Sequence, residues 1–220
     1  MPDSVLSKGP AVLDAAGAAA LVASYAPVAR GAALKDIGRI DGHMARFIGL
    51  SPICLVSTAD AAGRQDVTPR GDPPGSFKVI DARTVAIADR PGNNRLDTLK
   101  NIVENPEIAL IFLLPGISET VRLAGTARLS VDPELLASMA VQGKAPKCAI
   151  VVTVRQAYLH CAKALIRSRL WSGEYAVARD SFPSIGRMVG EQIGLSEEDK
   201  KAADLRTERA YRDGLWAPIP

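Results

Sequence analysis

Two arginines and two asparagines crowd the stretch DRPGNNR, residues 89–95, where an apolar run gives way to a helical pattern. Arg90 and Arg95 carry guanidinium groups whose forked N–H donors match the geometry of a phosphate. Asn93 and Asn94 add side-chain amides, and the first N–H groups of a helix are unpaired. Such a junction can hold a phosphate. A plain turn, with Asn94 capping the helix and the arginines in water, accounts for the same residues.

A second pair of candidate donors lies at the end of the strand-like stretch QDVTPRG, residues 65–71. Thr68 and Arg70 are two residues apart, so they share one face of a strand. If that strand lies beside the strand-like stretch TVAIA, residues 84–88, both side chains converge on the arginine-rich junction. A hydroxyl group, three guanidinium groups and a helix N-terminus would then surround one anion.

Composition limits the class of protein. The chain has 220 residues, 47% apolar and 23% charged, which is typical of one globular domain with a substantial core. A net charge of +3 and 5% aromatic residues give no basic, aromatic-lined surface for nucleic acid. We expect no membrane span, because no run of about 18 uncharged apolar residues occurs. Three widely spaced cysteines indicate buried thiols and a reducing, cytoplasmic location.

Strands and helices must position the two clusters. Short apolar or alternating segments predict about six strands, with one helix inserted after the fourth and ending near Asn105. Further helices are predicted at 41–50, with Asp41 as N-cap, after Asp132, at 184–194, and from Ser196 onward. Dinucleotide and triphosphate-binding glycine motifs do not occur. The pattern favours a small, mostly antiparallel barrel with helices packed outside.

These elements carry a resemblance to a known family. The first strand runs into S-T-x-x-x-x-G, the second ends in an arginine, and the inserted helix ends in E-N-P before an apolar strand. This order resembles the pyridoxamine 5'-phosphate oxidase-related FMN-binding split barrels from about Ile48 to Leu129, and more weakly to Trp171. R-P-G-N-N-R and P-R-G-D-P-P-G look like signature stretches of a subgroup of FMN-dependent enzymes with unassigned substrates.

The resemblance implies a fold, a cofactor and a partner. The fold would be mainly β with α, a six-stranded antiparallel split β-barrel with peripheral helices. The protein would be a flavoprotein oxidoreductase that binds FMN in a groove between the subunits of a homodimer and acts on a small molecule. The doubly apolar strand from Ile108 to Leu114 would also face the subunit interface. Three domains follow: an N-terminal helical or loosely ordered extension (1–40), the FMN-binding split barrel (41–175), and a C-terminal helical extension packed on the barrel (176–220).

The resemblance also implies which residues bind the cofactor. They are Val67, Thr68, Pro69, Arg70, Ile87, Ala88, Asp89, Arg90, Asn93, Asn94, Arg95 and Trp171. The hydroxyl, arginine and asparagine side chains would hold the phosphate, and the backbone of 67–69 and 87–89 would face the isoalloxazine ring. Trp171 would either cover a flavin edge or close the barrel.

The chain departs from the family pattern near its C-terminus. Pyridoxamine phosphate oxidases carry an Arg-x-His there that helps hold the substrate, whereas this chain has none and its only histidines are His43 and His160. His160, Cys161 and Lys163 could contribute to a site, but a strand-end histidine, an inert thiol and a solvated lysine are the simpler interpretation. We therefore name no catalytic residue, no metal and no specific substrate.

Two other functions fit the same barrel. One is a non-catalytic flavin-binding or haem-related binding protein. The other is a reductase that depends on a deazaflavin cofactor and uses the same anion site. Fold alone does not separate these from an FMN-dependent oxidoreductase, because many activities share one fold.

Overall fold

The computed structural model describes residues 11–216. The chain divides into two units, Met1–Lys35 and Asp36–Pro220. The described part of the first unit holds two helices, α1 (Ala15–Ala23) and α2 (Arg30–Leu34). Among residues 11–216, no helix has the length and apolar composition needed to cross a membrane. The three-domain division stays a prediction.

The second unit is built around one seven-stranded sheet. Its strands are β1 (Ile53–Ala59), β2 (Gln65–Gly71), β3 (Lys78–Asp81), β4 (Thr84–Asp89), β5 (Glu107–Leu114), β6 (Ile117–Ser130) and β7 (Cys148–His160). Its helices are α3 (Gly42–Leu50), α4 (Asp97–Glu104), α5 (Pro133–Ser138), α6 (Lys163–Arg167), α7 (Ile185–Gln192) and α8 (Glu197–Asp213), with a 3-10 turn at Arg179–Ser181. The strand order is β2-β1-β5-β6-β7-β4-β3, and every neighbouring pair is antiparallel.

The predicted class, mainly β with α, is confirmed, but the closed six-stranded barrel is wrong. The sheet has seven strands, and its short strand β3 forms a hairpin arm in which Lys78 pairs with Ala86 and Val79 with Val85. The sheet is open because β2 and β3 each have one hydrogen-bonded neighbour. Pro69 lies within β2 and has no N–H to donate, which suits an edge strand.

The main core lies on one face of this sheet. Helix α3 buries Met44 and Ile48 there, and its predicted N-cap is confirmed, since the Asp41 carboxylate accepts the Met44 N–H at 2.8 Å. Strand β4 is buried on both faces. Its Val85 and Ile87 belong to the main core, and its Ala86 and Ala88 pack in a smaller cluster with Met139. The end of β4 is therefore held rigidly, which matters for the junction that follows it.

The prediction that all three cysteines are buried is wrong in part. Cys54 is buried in β1, Cys148 is half-buried at the start of β7, and Cys161 is exposed. Cys161 is exposed because it follows the last residue of β7, where the chain leaves the sheet.

Gly125 marks the closest approach between two strands. The register of β6 against β7 shifts between Ala124 and Gly125, and a Cβ atom at Gly125 would lie 1.9 Å from the carbonyl oxygen of Thr153. We expect Gly125→Ala to lower the free energy of unfolding by at least about 2 kcal/mol, because backbone must move to admit the methyl group. Urea unfolding followed by circular dichroism measures this.

The matched control is Gly49→Ala in α3, where an added Cβ atom meets nothing within 4 Å. That variant should be neutral or slightly more stable, because alanine favours a helix over glycine. Equal stability of the two variants would contradict the close approach at Gly125.

Candidate functional site

The arginine-rich junction connects the buried end of β4 to α4. Its backbone makes a tight path, with Asn94 at φ 59° and Leu96 at φ 61°, both left-handed. Helix α4 begins at Asp97, and its N-cap residue is Leu96, which provides no capping side chain. The predicted role of Asn94 as N-cap is therefore wrong. Asparagine tolerates the left-handed conformation well, so Asn94 forms the turn instead of the cap.

A cleft of about 560 Å³ lies between the end of β2 and this junction. Its volume is within the usual range for small-molecule sites. The lining residues are Thr68, Pro69, Arg70, Gly71, Asp72, Pro73, Ala88, Arg90, Pro91, Gly92, Asn93, Leu215 and Trp216. Six of the twelve predicted cofactor-binding residues are among them: Thr68, Pro69, Arg70, Ala88, Arg90 and Asn93.

Two ion pairs join the end of β2 to the junction. Arg70 Nη1 lies 3.3 Å from Asp89 Oδ1, and Arg90 Nε lies 3.0 and 2.9 Å from the two carboxylate oxygens of Asp72. The premise that β2 lies beside β4 in the sheet is wrong, because β2 pairs with β1 alone and β4 with β3 and β7. The two clusters still converge, through side chains that bridge strands without a shared hydrogen-bond ladder.

Strand register explains how β2 presents its polar residues. Arg70 lies opposite Cys54 and Thr68 lies opposite Val56, and both partners are buried. Since directly paired residues point to the same face of a sheet, Thr68 and Arg70 share the inward-facing side. This confirms that the two residues share one face of the strand.

Arg90 is fully engaged within the protein. Besides Asp72, its guanidinium donates to the carbonyl oxygen of Met139 at 2.7 Å and to that of Lys144 at 3.4 Å. Its guanidinium carbon lies 5.6 Å from the ring centre of Trp216. The Arg90 side chain is only 10% exposed. Arg90 therefore holds together the walls of the cleft.

Arg70 differs from Arg90 in one respect. Its Nε is buried and has no hydrogen-bond partner among the described residues, although Nη1 contacts Asp89. A buried N–H without an acceptor costs free energy, so such groups in folded proteins are normally satisfied. An acceptor bound in the cleft would satisfy the Nε of Arg70.

Burial changes the acidity of the carboxyl groups beside the cleft. It raises the pKa of Asp89, against the opposing charges of Arg70 and Lys147. It also raises the pKa of Asp72, against the hydrogen bond and charge of Arg90. Cys148 lies opposite Asp89 in the register, and burial together with the Asp89 charge raises its thiol pKa. The cleft therefore solvates negative charge poorly except where arginine offsets it.

Several predicted residues lie outside the cleft lining. The Arg95 side chain is 74% exposed and pairs with Asp97 at 2.7 Å. The Trp171 Nε1–H donates to the carbonyl oxygen of Ile117 at 3.0 Å, beside the turn between β5 and β6. The others that do not line the cleft are Val67, Ile87, Asp89 and Asn94. His160, Cys161 and Lys163 do not line it either.

Sequence reasoning missed seven of the thirteen lining residues, among them Asp72, Leu215 and Trp216. Asp72 lies within the stretch P-R-G-D-P-P-G, and its position beside two prolines could have drawn attention to it. Leu215 and Trp216 follow α8, more than 120 residues after the junction. No local pattern marks them, because their place in the cleft depends on how the chain returns to the sheet.

Sequence comparison identifies the family. The profile of the family described as pyridoxamine 5'-phosphate oxidase matches residues 40–161, just over half of the chain. The chain belongs to the pyridoxamine 5'-phosphate oxidase family. The resemblance of the signature stretches is thereby confirmed at the level of the family. No curated protein matches the chain.

Solved structures resemble the chain over about half of its length. HupZ from Group A Streptococcus is 20% identical, with 55% of this chain and 93% of that one covered at a TM-score of 0.46. General Stress Protein 26 from Bacillus anthracis is 13% identical (54% and 94% covered, TM-score 0.41). An FMN-binding protein from Syntrophomonas wolfei is 15% identical (52% and 82%, TM-score 0.40). Similarity at this level does not distinguish one function from another.

The raised pKa of Asp89 predicts a dependence of stability on pH. The folded state holds the Asp89 proton more tightly than the unfolded state, so the contribution of Asp89 to stability is full below the unfolded pKa and is lost as pH rises through the folded pKa. Relative to Asp89→Asn, the wild type should therefore lose free energy of unfolding as pH rises from about 4 towards 7. Urea unfolding at several pH values measures the difference.

Asp60→Asn is the opposite control. Its pKa is lowered, chiefly by the backbone N–H of Arg64, so the wild type should gain free energy of unfolding over this variant as pH rises to about 4 and hold that gain from there to pH 7. A constant offset between wild type and Asp89→Asn is expected, because Arg70 loses a partner. A difference that stays flat with pH, or grows in favour of the wild type, would contradict the assigned shift.

Proposed function

We propose that the chain binds FMN in this cleft through its phosphate and is an FMN-dependent oxidoreductase acting on a small molecule. The observation that carries the proposal is the buried Nε of Arg70, for which the described part of the chain supplies no acceptor, in the cleft of a chain that belongs to this family. A phosphate oxygen is an acceptor for that N–H, and its charge complements the guanidinium group.

The other residues at this end of the cleft fit a phosphate. Thr68 supplies a hydroxyl group on the same face as Arg70. The side-chain oxygen of Asn93 accepts the Arg95 N–H at 3.1 Å, and Asn93 also lines the cleft. A Cβ atom at Gly92 would meet nothing within 4 Å, so a ligand can approach the backbone there. The candidate donors thus come from two separate segments, β2 and the junction, that line one cleft.

Each wall of the cleft has a distinct task in this proposal. Thr68, Arg70 and Asn93 bind the phosphate, and Pro69 and Ala88, the other two lining residues of the segments 67–69 and 87–89, lie along the isoalloxazine ring. Arg90 acts indirectly by holding Asp72 in place. The bound cofactor supplies the redox chemistry, while the protein orients it and limits its contact with water. The roles of Asn94, Arg95 and Trp171 stay predictions.

We also propose that the functional form is a homodimer. An apolar patch lies on the outward face of β1, β2 and β5. Leu55 is paired with Pro69 on one side and with Ile111 on the other, and Ile53 is paired with Leu113. All five side chains are exposed or only half-buried. An apolar patch left uncovered on a sheet supports a protein interface there, as the apolar sequence of β5 predicted.

Removing the arginine fork tests the phosphate site. FMN and riboflavin differ by the phosphate, so the wild type should bind FMN much more tightly. Arg70→Ala should weaken FMN binding about 10- to 150-fold, as expected for losing a hydrogen bond to a charged group, and leave riboflavin almost unchanged. Arg70→Lys should fall between, because lysine keeps the charge without the fork. Fluorescence titration of the apo-protein measures all three.

Arg64→Ala is the matched control for net charge, because the Arg64 side chain is 84% exposed on the turn between β1 and β2. It should bind FMN like the wild type. The proposal fails if FMN and riboflavin bind alike to the wild type, or if Arg64→Ala loses as much as Arg70→Ala. Tighter binding of the deazaflavin cofactor than of FMN would favour the reductase alternative.

The dimer is tested separately with Leu55→Glu, because Leu55 lies between Pro69 and Ile111, whereas Ile111 lies opposite Arg122. A charge in the centre of the outward patch should convert a dimer to a monomer, because a buried unpaired carboxylate is strongly unfavourable. Light scattering coupled to size-exclusion chromatography measures the mass. Val131→Glu is the control, since Val131 is 73% exposed and follows the far end of β6. A monomeric wild type, or a dimeric Leu55→Glu, would contradict the proposed interface.

A further inference from the structure

The C-terminal end of α8 contributes to the cleft. The helix ends at Asp213, and Gly214 closes it by donating its N–H to the carbonyl oxygen of Ala210 at 2.9 Å. The chain then places Leu215 and Trp216 among the lining residues. Trp216 is partly buried there. A segment remote in sequence from the β2 and junction clusters thus forms one wall of the same cleft.

Trp216 is held in place by the most heavily bonded side chain of the cleft. The guanidinium of Arg90 lies over its ring at 5.6 Å, a favourable arrangement of a cation and an aromatic face. Arg90 is itself anchored by Asp72 and by the carbonyl oxygen of Met139. The indole is therefore positioned by contacts that involve no ligand, and it is one of the residues that line the cleft.

The lining of the cleft includes apolar residues besides Trp216. Pro69, Pro73, Ala88, Pro91 and Leu215 line it together with the indole. The phosphate-binding groups come instead from Thr68, Arg70 and Asn93. A ligand with one charged end and one flat aromatic end matches a cleft that offers both kinds of group.

We infer that Trp216 is a ring-binding residue, whose indole packs against the planar ring of the cofactor and is positioned by Arg90. The inference rests on the proposed function for the identity of that ring, and it assigns the ring contact to Trp216 in place of Trp171. The chain has two tryptophans. Trp171 bonds to Ile117 and does not line the cleft, whereas Trp216 lines it.

A ring contact and a phosphate contact affect ligands differently, which gives the first test. Trp216→Ala should weaken FMN and riboflavin alike, each roughly tenfold, because both carry the same ring. Trp216→Phe should retain most of the affinity for both. Tyr211→Ala is the matched control, since Tyr211 is 64% exposed on α8 and does not line the cleft. It should bind both ligands like the wild type.

The outcomes separate this inference from the proposed function. If Trp216→Ala binds both ligands as the wild type does, weakens FMN alone, or loses no more than Tyr211→Ala, the ring contact is wrong and the phosphate site can still stand. If the wild type binds FMN and riboflavin alike but Trp216→Ala weakens both, the phosphate site is wrong and the ring contact stands. If the wild type binds neither ligand, both are wrong.

Tryptophan emission gives a second test that does not depend on the stability of an alanine variant. Trp171→Phe retains Trp216 as its single tryptophan, and Trp216→Phe retains Trp171. Saturating FMN should strongly quench the emission of Trp171→Phe and should quench that of Trp216→Phe much less. Stronger quenching in Trp216→Phe would place Trp171 beside the ring and overturn the inference. Circular dichroism confirms that both variants are folded.

Discussion

The contact between Arg90 and Asp72 is the interaction on which the cleft depends. Arg90 Nε lies within 3.0 Å of both oxygens of that carboxylate, and the two side chains are 10% and 4% exposed. A buried ion pair is strongly unfavourable to break, because removing one partner leaves a charge without compensation. The sheet does not pair β2 with β4, so this pair and the one between Arg70 and Asp89 connect them. The same guanidinium also reaches Met139, Lys144 and Trp216.

The two arginines of the cleft differ in how the protein uses their hydrogen-bond donors. The guanidinium group of Arg90 donates hydrogen bonds to Asp72, Met139 and Lys144. Breaking these bonds would separate the walls of the cleft. Arg70 keeps one buried donor, the Nε, for which residues 11–216 supply no partner. Arginine suits both tasks because its charge persists at any physiological pH and its fork holds a fixed geometry. An open sheet can thus be joined by one arginine and still offer the other to a ligand.

Local rules predicted most of the elements but not the contacts between them. The helix that follows Asp41 could be predicted because its cap lies within four residues, and α7 and α8 begin after Ser184 and Ser196 as predicted. The prediction of Asn94 as N-cap is wrong because two residues in the left-handed conformation, Asn94 and Leu96, shift the start of α4 to Asp97. The prediction of a barrel is wrong because closing a sheet depends on pairing between strands that are far apart in sequence. The alternation of polar and apolar residues does not specify that pairing.

The site shows the same limit. Thr68 and Arg70 could be placed on one face from the two-residue period of a strand alone. The ion pairs of Arg70 with Asp89 and of Arg90 with Asp72 hold this end of β2 against the junction, and no spacing in the sequence indicates them. The place of Trp216 in the cleft is even harder to predict, because this residue reaches the cleft only after the end of α8. A tryptophan nearer in sequence to the barrel, Trp171, looked the better candidate and lies at a different turn.

The central claim is that the buried Nε–H of Arg70 donates a hydrogen bond to a phosphate oxygen. The most direct measurement is a ¹⁵N–¹H spectrum of the arginine Nε groups, with the Arg70 signal identified by its loss in Arg70→Lys. Addition of FMN should shift the Arg70 signal and slow its exchange with water, whereas riboflavin should leave both unchanged. An Arg70 signal that does not change when FMN is added, or that changes equally with riboflavin, would contradict the account.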